Sequence, residues 1–223
     1  MTPDGAPASG VRQGARPAAP PPPADVPLTL RRELARKALH LTSAVVPLAY
    51  AAGLVPRGPL AALLLALLGV ALAVELGRAR SERVRAHFAR ATGALLRPHE
   101  HRRWAGATWL LAAFALALLL FPPAVAVAAM WAVSVGDASA AIVGRVVGRH
   151  RIAGLTKTVE GSVACAVATF AGASLVARLG LGASVVAALA AAAAEAPTRP
   201  LDDNVRVALA VGGGILLWRM AFS

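Results

Sequence analysis

From Gly136 to Ser162 the chain reads GDASAAIVGRVVGRHRIAGLTKTVEGS. Asp137 is followed, at glycine-spaced intervals, by Arg145, Arg149 and Arg151, then by Lys157 and Glu160 just ahead of Gly161 and Ser162. These residue types suit phosphate chemistry. Cations neutralise phosphate oxygens, and a lysine offers a compact point charge that a planar guanidinium does not mimic. Carboxylates hold a hard metal ion or accept a proton. On a continuing helix Asp137, Ala141, Gly144 and Gly148 share one stripe, by offsets of 4, 7 and 11. Such a stripe admits a ligand, and it serves close helix packing equally well. Glu160 and Ser162 open the next apolar segment. There they act as ordinary caps, or leave exposed N–H groups free for a phosphate oxygen.

Two further clusters carry comparable side chains. ELARKALH (33–40) sets Glu33, Lys37 and His40 on one helical face, where a Glu–Lys pair is also an ordinary stabiliser. EAPTRPLDDN (195–204) gathers Glu195, Asp202, Asp203 and Asn204, hard oxygen donors of the kind Mg²⁺ accepts alongside substrate phosphates. The chain has 21 arginines but only two lysines, Lys37 and Lys157, and a single asparagine, Asn204. All three scarce residues fall inside these clusters.

The surrounding sequence is apolar. Hydrophobic residues make up 57% of the chain and charged residues 15%, far from a soluble domain. Spans near 38–55, 59–76, 104–121, 123–144, 161–179, 182–195 and 205–221 predict an all-α, multi-pass membrane bundle of about seven transmembrane helices. Between them lie a basic segment, 77–103, and two polar loops, 145–160 and 196–204. Of the 23 lysines and arginines, 20 fall on one side of this topology; Arg57, Arg178 and Arg219 are the exceptions. The excess places the N-terminus and every polar cluster on the cytoplasmic face of the cell membrane. Asp137 then lies roughly 12 Å deep, where an unpaired carboxylate is expensive.

The net charge of +12 flanks apolar spans and forms no continuous stripe, so no nucleic-acid partner is expected. Residues 1–27, rich in Pro, Ala and Gly, read as a disordered tail ahead of an integral membrane domain over 28–223. Cys165 stands alone in an apolar segment, with no disulfide framework and no Cys-based metal site. His87, His99 and His101 show no metal-ligand spacing and read as surface. Neither a Walker A loop nor a Rossmann fingerprint occurs.

Four blocks in this order, ELARKALHL, GDASAAIVGRVVGRHR, KTVEGSVA and EAPTRPLDDNVRVAL with a later GG, resemble the CTP-dependent polyprenol kinase family. That family contains phytol kinase, dolichol kinase and a CTP-dependent diacylglycerol kinase, and the resemblance covers about residues 30–215. It implies transfer of the γ-phosphoryl of CTP to a lipid alcohol, with Mg²⁺ as cofactor. By that likeness Asp137, Lys157, Glu160 and Asp203 are the catalytic candidates, with Glu160 or Asp203 accepting the alcohol proton. Lys37, His40, Gly144, Arg145, Gly148, Arg149, Thr158, Gly161 and Ser162 would bind the nucleotide phosphates. Asp137, Asp202, Asp203, Asn204 and Glu195 would hold the metal.

The block D-x-x-A-x-x-x-G-R-x-x-G-R with K-T-x-E-G also resembles phosphatidate cytidylyltransferase. Arg36, Lys37 and His40, with the closing E…D-D-N, favour the kinase side. Ala208 departs from the kinase pattern, where a proline is common. A small-solute transporter is the reading from a different class; polar groups confined to one face, and no visible inverted repeat, argue against it.

Overall fold

The computed structural model describes residues 30–92, 103–155, 157–195 and 201–222. The expected tail, His99, His101 and residues 196–200 of the last loop lie outside them. Among the described residues the fold is helical throughout, without a strand. The elements are α1 (Leu30–Thr42), α2 (Val45–Ala51), α3 (Arg57–Arg80), α4 (Glu82–Thr92), α5 (Gly106–Leu120), α6 (Pro123–Trp131), α7 (Asp137–Val146), α8 (Val159–Ala171), α9 (Leu181–Glu195) and α10 (Asp203–Phe222). A π-helical turn, Ala132–Gly136, joins α6 to α7 without a break, and a second, Gly172–Val176, extends α8.

Four of the resulting rods are long and apolar enough to cross a membrane: Arg57–Arg80, Pro123–Val146, Val159–Val176 and Asp203–Phe222. They correspond to four of the expected spans. The expected spans at 104–121 and 182–195 appear as apolar helices of 15 residues each, α5 and α9. At 1.5 Å per residue such a helix reaches about 22 Å, short of a hydrocarbon core of about 30 Å.

The expected span 38–55 is not one helix. Pro47 has no N–H, and its ring excludes the carbonyl four residues back, that of Ser43. The chain responds at residues 43–44 with tightened bonds, Ser43 N–H to His40 O (3.1 Å) and Ala44 N–H to Leu41 O (3.0 Å). Gly53, at φ 71°, then closes α2: its N–H reaches Tyr50 O while Leu54 N–H reaches Ala49 O. That pair of bonds needs a left-handed residue, which glycine supplies without strain.

The rod Pro123–Val146 is central and largely buried, whereas Arg57–Arg80 lies at the periphery and is largely exposed. α10 packs on α9, α5 and α6; α8 packs on α7 and α9; α1 rests on α7, α2 on α6, and α3 on α5. Leu60, Leu64, Phe114, Leu118, Met130, Val133, Val207 and Ile215 fill the core between them.

The glycines of the opening stretch set the spacing of α7 against α8. A Cβ on Gly144 would sit 2.9 Å from Thr158 Oγ1, and one on Gly161 would sit 2.8 Å from Ala140 O and 3.3 Å from the Gly144 Cα. Gly148 faces Thr158 in the same seam. Of the two uses the stripe permits, the fold displays close packing.

This seam generates a stability prediction. Gly161→Val must push α7 off α8, an overpacking expected to cost about 1–3 kcal/mol. Gly69→Ala, where a Cβ meets nothing within 4 Å, leaves stability unchanged or slightly raised. Thermal unfolding in detergent checks both; equal melting temperatures for the two variants would contradict the seam.

Candidate functional site

The site forms where α1, the turn before α7, the start of α8, the end of α9 and the start of α10 meet. Each side chain has a local reason for its place. α1 presents Lys37 and His40 on the face that packs on α7. The π-helical turn carries one residue more than an α-turn would, so the Asp137 N–H bonds back to Ala132 O, five residues earlier. Such turns re-aim the residue that follows, and they recur at functional sites. His40 Nε2 donates to Val133 O within this turn (2.9 Å) and lies 3.6 Å from Asp137 Oδ2. Ser43 Oγ, at the bend between α1 and α2, donates to Ser134 Oγ (3.0 Å). Three contacts from one short segment therefore grip the turn that aims Asp137.

The first charged pair is Lys37 Nζ with Asp137 Oδ2, joining residues 100 apart in sequence. Both side chains are nearly inaccessible, at 5% and 6% exposure. The second pair is Lys157 Nζ with Glu195 Oε1. Glu195 is buried, whereas Lys157 keeps 29% of its side chain exposed.

The loop 147–158 brings Lys157 to this point. Gly154, at φ 73°, sits third in a turn closed by Leu155 N–H on Ile152 O (3.0 Å). An antiparallel bridge between Arg151 and Thr158 folds the loop back on itself. Thr158 then caps α8, its hydroxyl accepting from Gly161 N–H (3.2 Å). At Lys157 burial pulls the ammonium pKa down, and the Glu195 carboxylate, helped by Asp137 and Asp203, more than reverses this. The lysine is therefore charged, and it feels three carboxylates from three helices.

At the start of α10, Asp202 Oδ1 accepts from Asn204 N–H (3.0 Å) and from Asn204 Nδ2 (2.8 Å), an N-cap for that helix. Burial first, and the adjoining Asp203 charge second, push the Asp202 carboxyl up to about 6. Arg206 secures the junction of α9 and α10 by donating to Ala194 O (2.6 Å) and Leu201 O (2.9 Å). Sequence reasoning had counted Arg206 only toward the charge bias.

The candidates thus separate into groups. Lys37, His40, Asp137, Lys157, Glu195 and Asp203 act on one another across the bundle. Gly144, Gly148 and Gly161 line the helix seam, and Thr158 is both cap and seam neighbour. Ser162 Oγ is buried without a hydrogen-bond partner. Arg145 and Arg149 are exposed on the loop side. Glu160 is held by His150, through its Nδ1 (2.6 Å) and its backbone N–H (3.2 Å), at the loop surface.

One buried polar group was missed. Glu75 accepts from Ala105 N–H (2.8 Å) and Thr108 Oγ1 (3.1 Å) and pairs with Arg78. Glu75 and Arg78 ended an apolar run, so their types carried no signal beyond a span boundary.

Mg²⁺ calls for oxygen donors. Among the described residues no three His, Cys, Asp or Glu side chains converge as a ready-made metal site. Mg²⁺ needs only one or two carboxylates when substrate phosphates supply the rest. Glu195 Oε2 and Asn204 Oδ1 are buried oxygens without partners, which fits that sparse demand. Comparison with protein-family models, with curated proteins and with solved structures finds no match.

Charge pairing at the heart of the site is directly testable. Lys37→Met strands the Asp137 carboxylate and is expected to lower stability by about 3–5 kcal/mol, with Lys37→Met/Asp137→Leu recovering most of it. Lys157→Met likewise strands the buried Glu195 carboxylate and also lowers stability. A double-mutant cycle of unfolding in detergent measures the coupling; additive single effects at Lys37 and Asp137 would contradict a buried pair.

Proposed function

We propose that the protein is a membrane-embedded, CTP-dependent lipid kinase that transfers the γ-phosphoryl of CTP to the hydroxyl of an isoprenoid alcohol or diacylglycerol. In this reading the chain crosses the cell membrane about seven times, with its N-terminus and its site toward the cytoplasm. The observation that carries the reading is the meeting of both lysines of the chain with Asp137, Glu195 and Asp203, from segments far apart in sequence. The four sequence blocks that resemble the polyprenol kinases contribute these residues.

Phosphoryl transfer depends on positioning and charge neutralisation more than on covalent chemistry by the protein. Lys157, charged and partly open, meets the triphosphate first, and Lys37 lies deeper on Asp137. Lys157 is held oriented by the Glu195 carboxylate, so little rearrangement is needed when phosphate oxygens arrive, and Lys37 adds its charge from behind. Asp202, Asp203 and Asn204, with Glu195, would hold Mg²⁺, which supplies further neutralisation of the triphosphate. Between the two candidates for proton acceptor, the hold of His150 on Glu160 at the loop surface favours Asp203. The alcohol oxygen attacks the γ-phosphorus, its proton passes to Asp203, and the bond to the β-phosphate oxygen breaks to release CDP. The lipid chain lies among the Ala-, Leu- and Val-rich helix faces.

The test supplies membranes carrying the protein with CTP, Mg²⁺ and one of phytol, a polyprenol, diacylglycerol or phosphatidate. The kinase reading expects CDP and a phosphorylated alcohol, with Asp137→Asn lowering turnover at least about a hundredfold while the protein still inserts. Pyrophosphate release with phosphatidate would instead mark a cytidylyltransferase. Absence of either product would leave the transporter reading.

A further inference from the structure

α4 leaves the bundle in an unusual way. α3 is the most lipid-like of the described helices: Leu63, Leu65, Leu67, Val70 and Leu76 are exposed on it, and none of the described residues covers them. It ends at Arg80, and after Ser81 alone α4 begins at Glu82. If α3 is solvated by acyl chains, α4 has no length of linker with which to leave the membrane surface. None of its residues is buried.

The composition of α4 matches that position. Successive residues turn by about 100°, so Val84, Phe88 and Ala91 fall within about 60° of one another. Arg83, His87 and Arg90 border this apolar sector on one side and Arg85 on the other. Cations bordering an apolar face are the signature of a helix that lies in an interface with its cations among headgroups; here the apolar face rests partly on α3, and Val84 keeps 38% of its surface exposed. Arg83, His87 and Arg90 are exposed, and Arg85, paired with Glu82 at 3.2 Å, keeps 42% of its side chain accessible.

The angle of α4 is fixed from beneath. Val84 packs against Gly77, where a Cβ would lie 3.4 Å from its methyl. The Arg78 guanidinium lies 4.2 Å from the Phe88 ring centroid. Arg78 pairs with Glu75, which in turn accepts from the Ala105 N–H just ahead of α5 and from the Thr108 hydroxyl in its first turn. A buried acid thus locks α3, α4 and α5 together at one membrane level, and the basic rim of α4 is presented in a set direction.

We propose that α4 is an interfacial helix whose Arg83, Arg85 and Arg90 bind the headgroups of anionic phospholipids. Juxtamembrane cations near such a surface contribute about a fivefold preference each. The proposal is independent of the reaction at the lysine cluster.

The experiment uses the full chain, purified in neutral detergent and offered equal amounts of phosphatidylglycerol and phosphatidylcholine, with retained lipid read by native mass spectrometry. Phosphatidylglycerol should be retained at least about tenfold over phosphatidylcholine. Combined Arg83→Gln, Arg85→Gln and Arg90→Gln should bring the ratio close to one without changing the melting temperature in neutral detergent, whereas Arg219→Gln, at the far end of α10, should leave it unchanged. A ratio near one in the unaltered chain, or an equal ratio in the triple variant, overturns the proposal. So does loss of the preference in inorganic phosphate at the same headgroup concentration but matched ionic strength, which would assign the site to a free anion. Selective stabilisation by a short RNA duplex in place of the lipid would do the same.

Discussion

The structure turns on placing a lysine and an aspartate together inside a bundle of apolar helices. Neither Lys37 nor Asp137 is tolerable there alone; an isolated charge in such surroundings costs several kcal/mol. Joined, they bind α1 to the start of α7, and the surrounding architecture follows from that requirement. α1 must stop and bend before Pro47 so that Lys37, His40 and Ser43 all reach the same turn. The central helix must take an extra residue so that Asp137 is aimed toward α1. α8 must lie close on α7, which the facing glycines permit.

The second pair shows the same logic at a shallower level. Lys157 arrives on a loop folded back through Gly154, and it meets Glu195 at the end of α9. One pair is sealed and the other is partly open. That gradient, from a buried charge outward to an accessible one, suits a ligand that carries negative charge and enters from the loop side. The orphaned oxygens of Glu195 and Asn204 belong to the same junction and give an incoming donor or cation something to bind.

Much of the fold was legible because its signals are compositional. Apolar runs found the long helices at 57–80, 123–146, 159–176 and 203–222. The break after Thr42 was less visible, since Pro47 lies in an otherwise continuous apolar stretch and only its missing N–H betrays the bend. The basic segment from residue 77 hid a helix: Val84, Phe88 and Ala91 recur at helical spacing, but the arginines around them drew attention to charge. The site was legible to the extent that rare residue types mark it. Lys37, Lys157 and Asn204 stood out in an arginine-rich chain, and all lie in or beside the cluster. Pairings did not stand out, because partners 100 and 38 residues apart leave no trace in local spacing. The extra residue of the turn before Asp137 had no sequence signal either, as Ala132–Gly136 contains nothing that an α-helix would refuse. Glu160, conspicuous in the motif, turned out to be held by His150.

Lys157 offers the most direct access to the central claim, that this cluster receives a nucleoside triphosphate. It is one of two lysines in the chain and the more exposed of them. Its rate of modification by an amine-selective reagent, followed by peptide mass spectrometry, should fall at least about tenfold in saturating Mg²⁺–CTP, as charge pairing and occlusion by phosphate would require. An unchanged rate at saturating nucleotide would contradict the account.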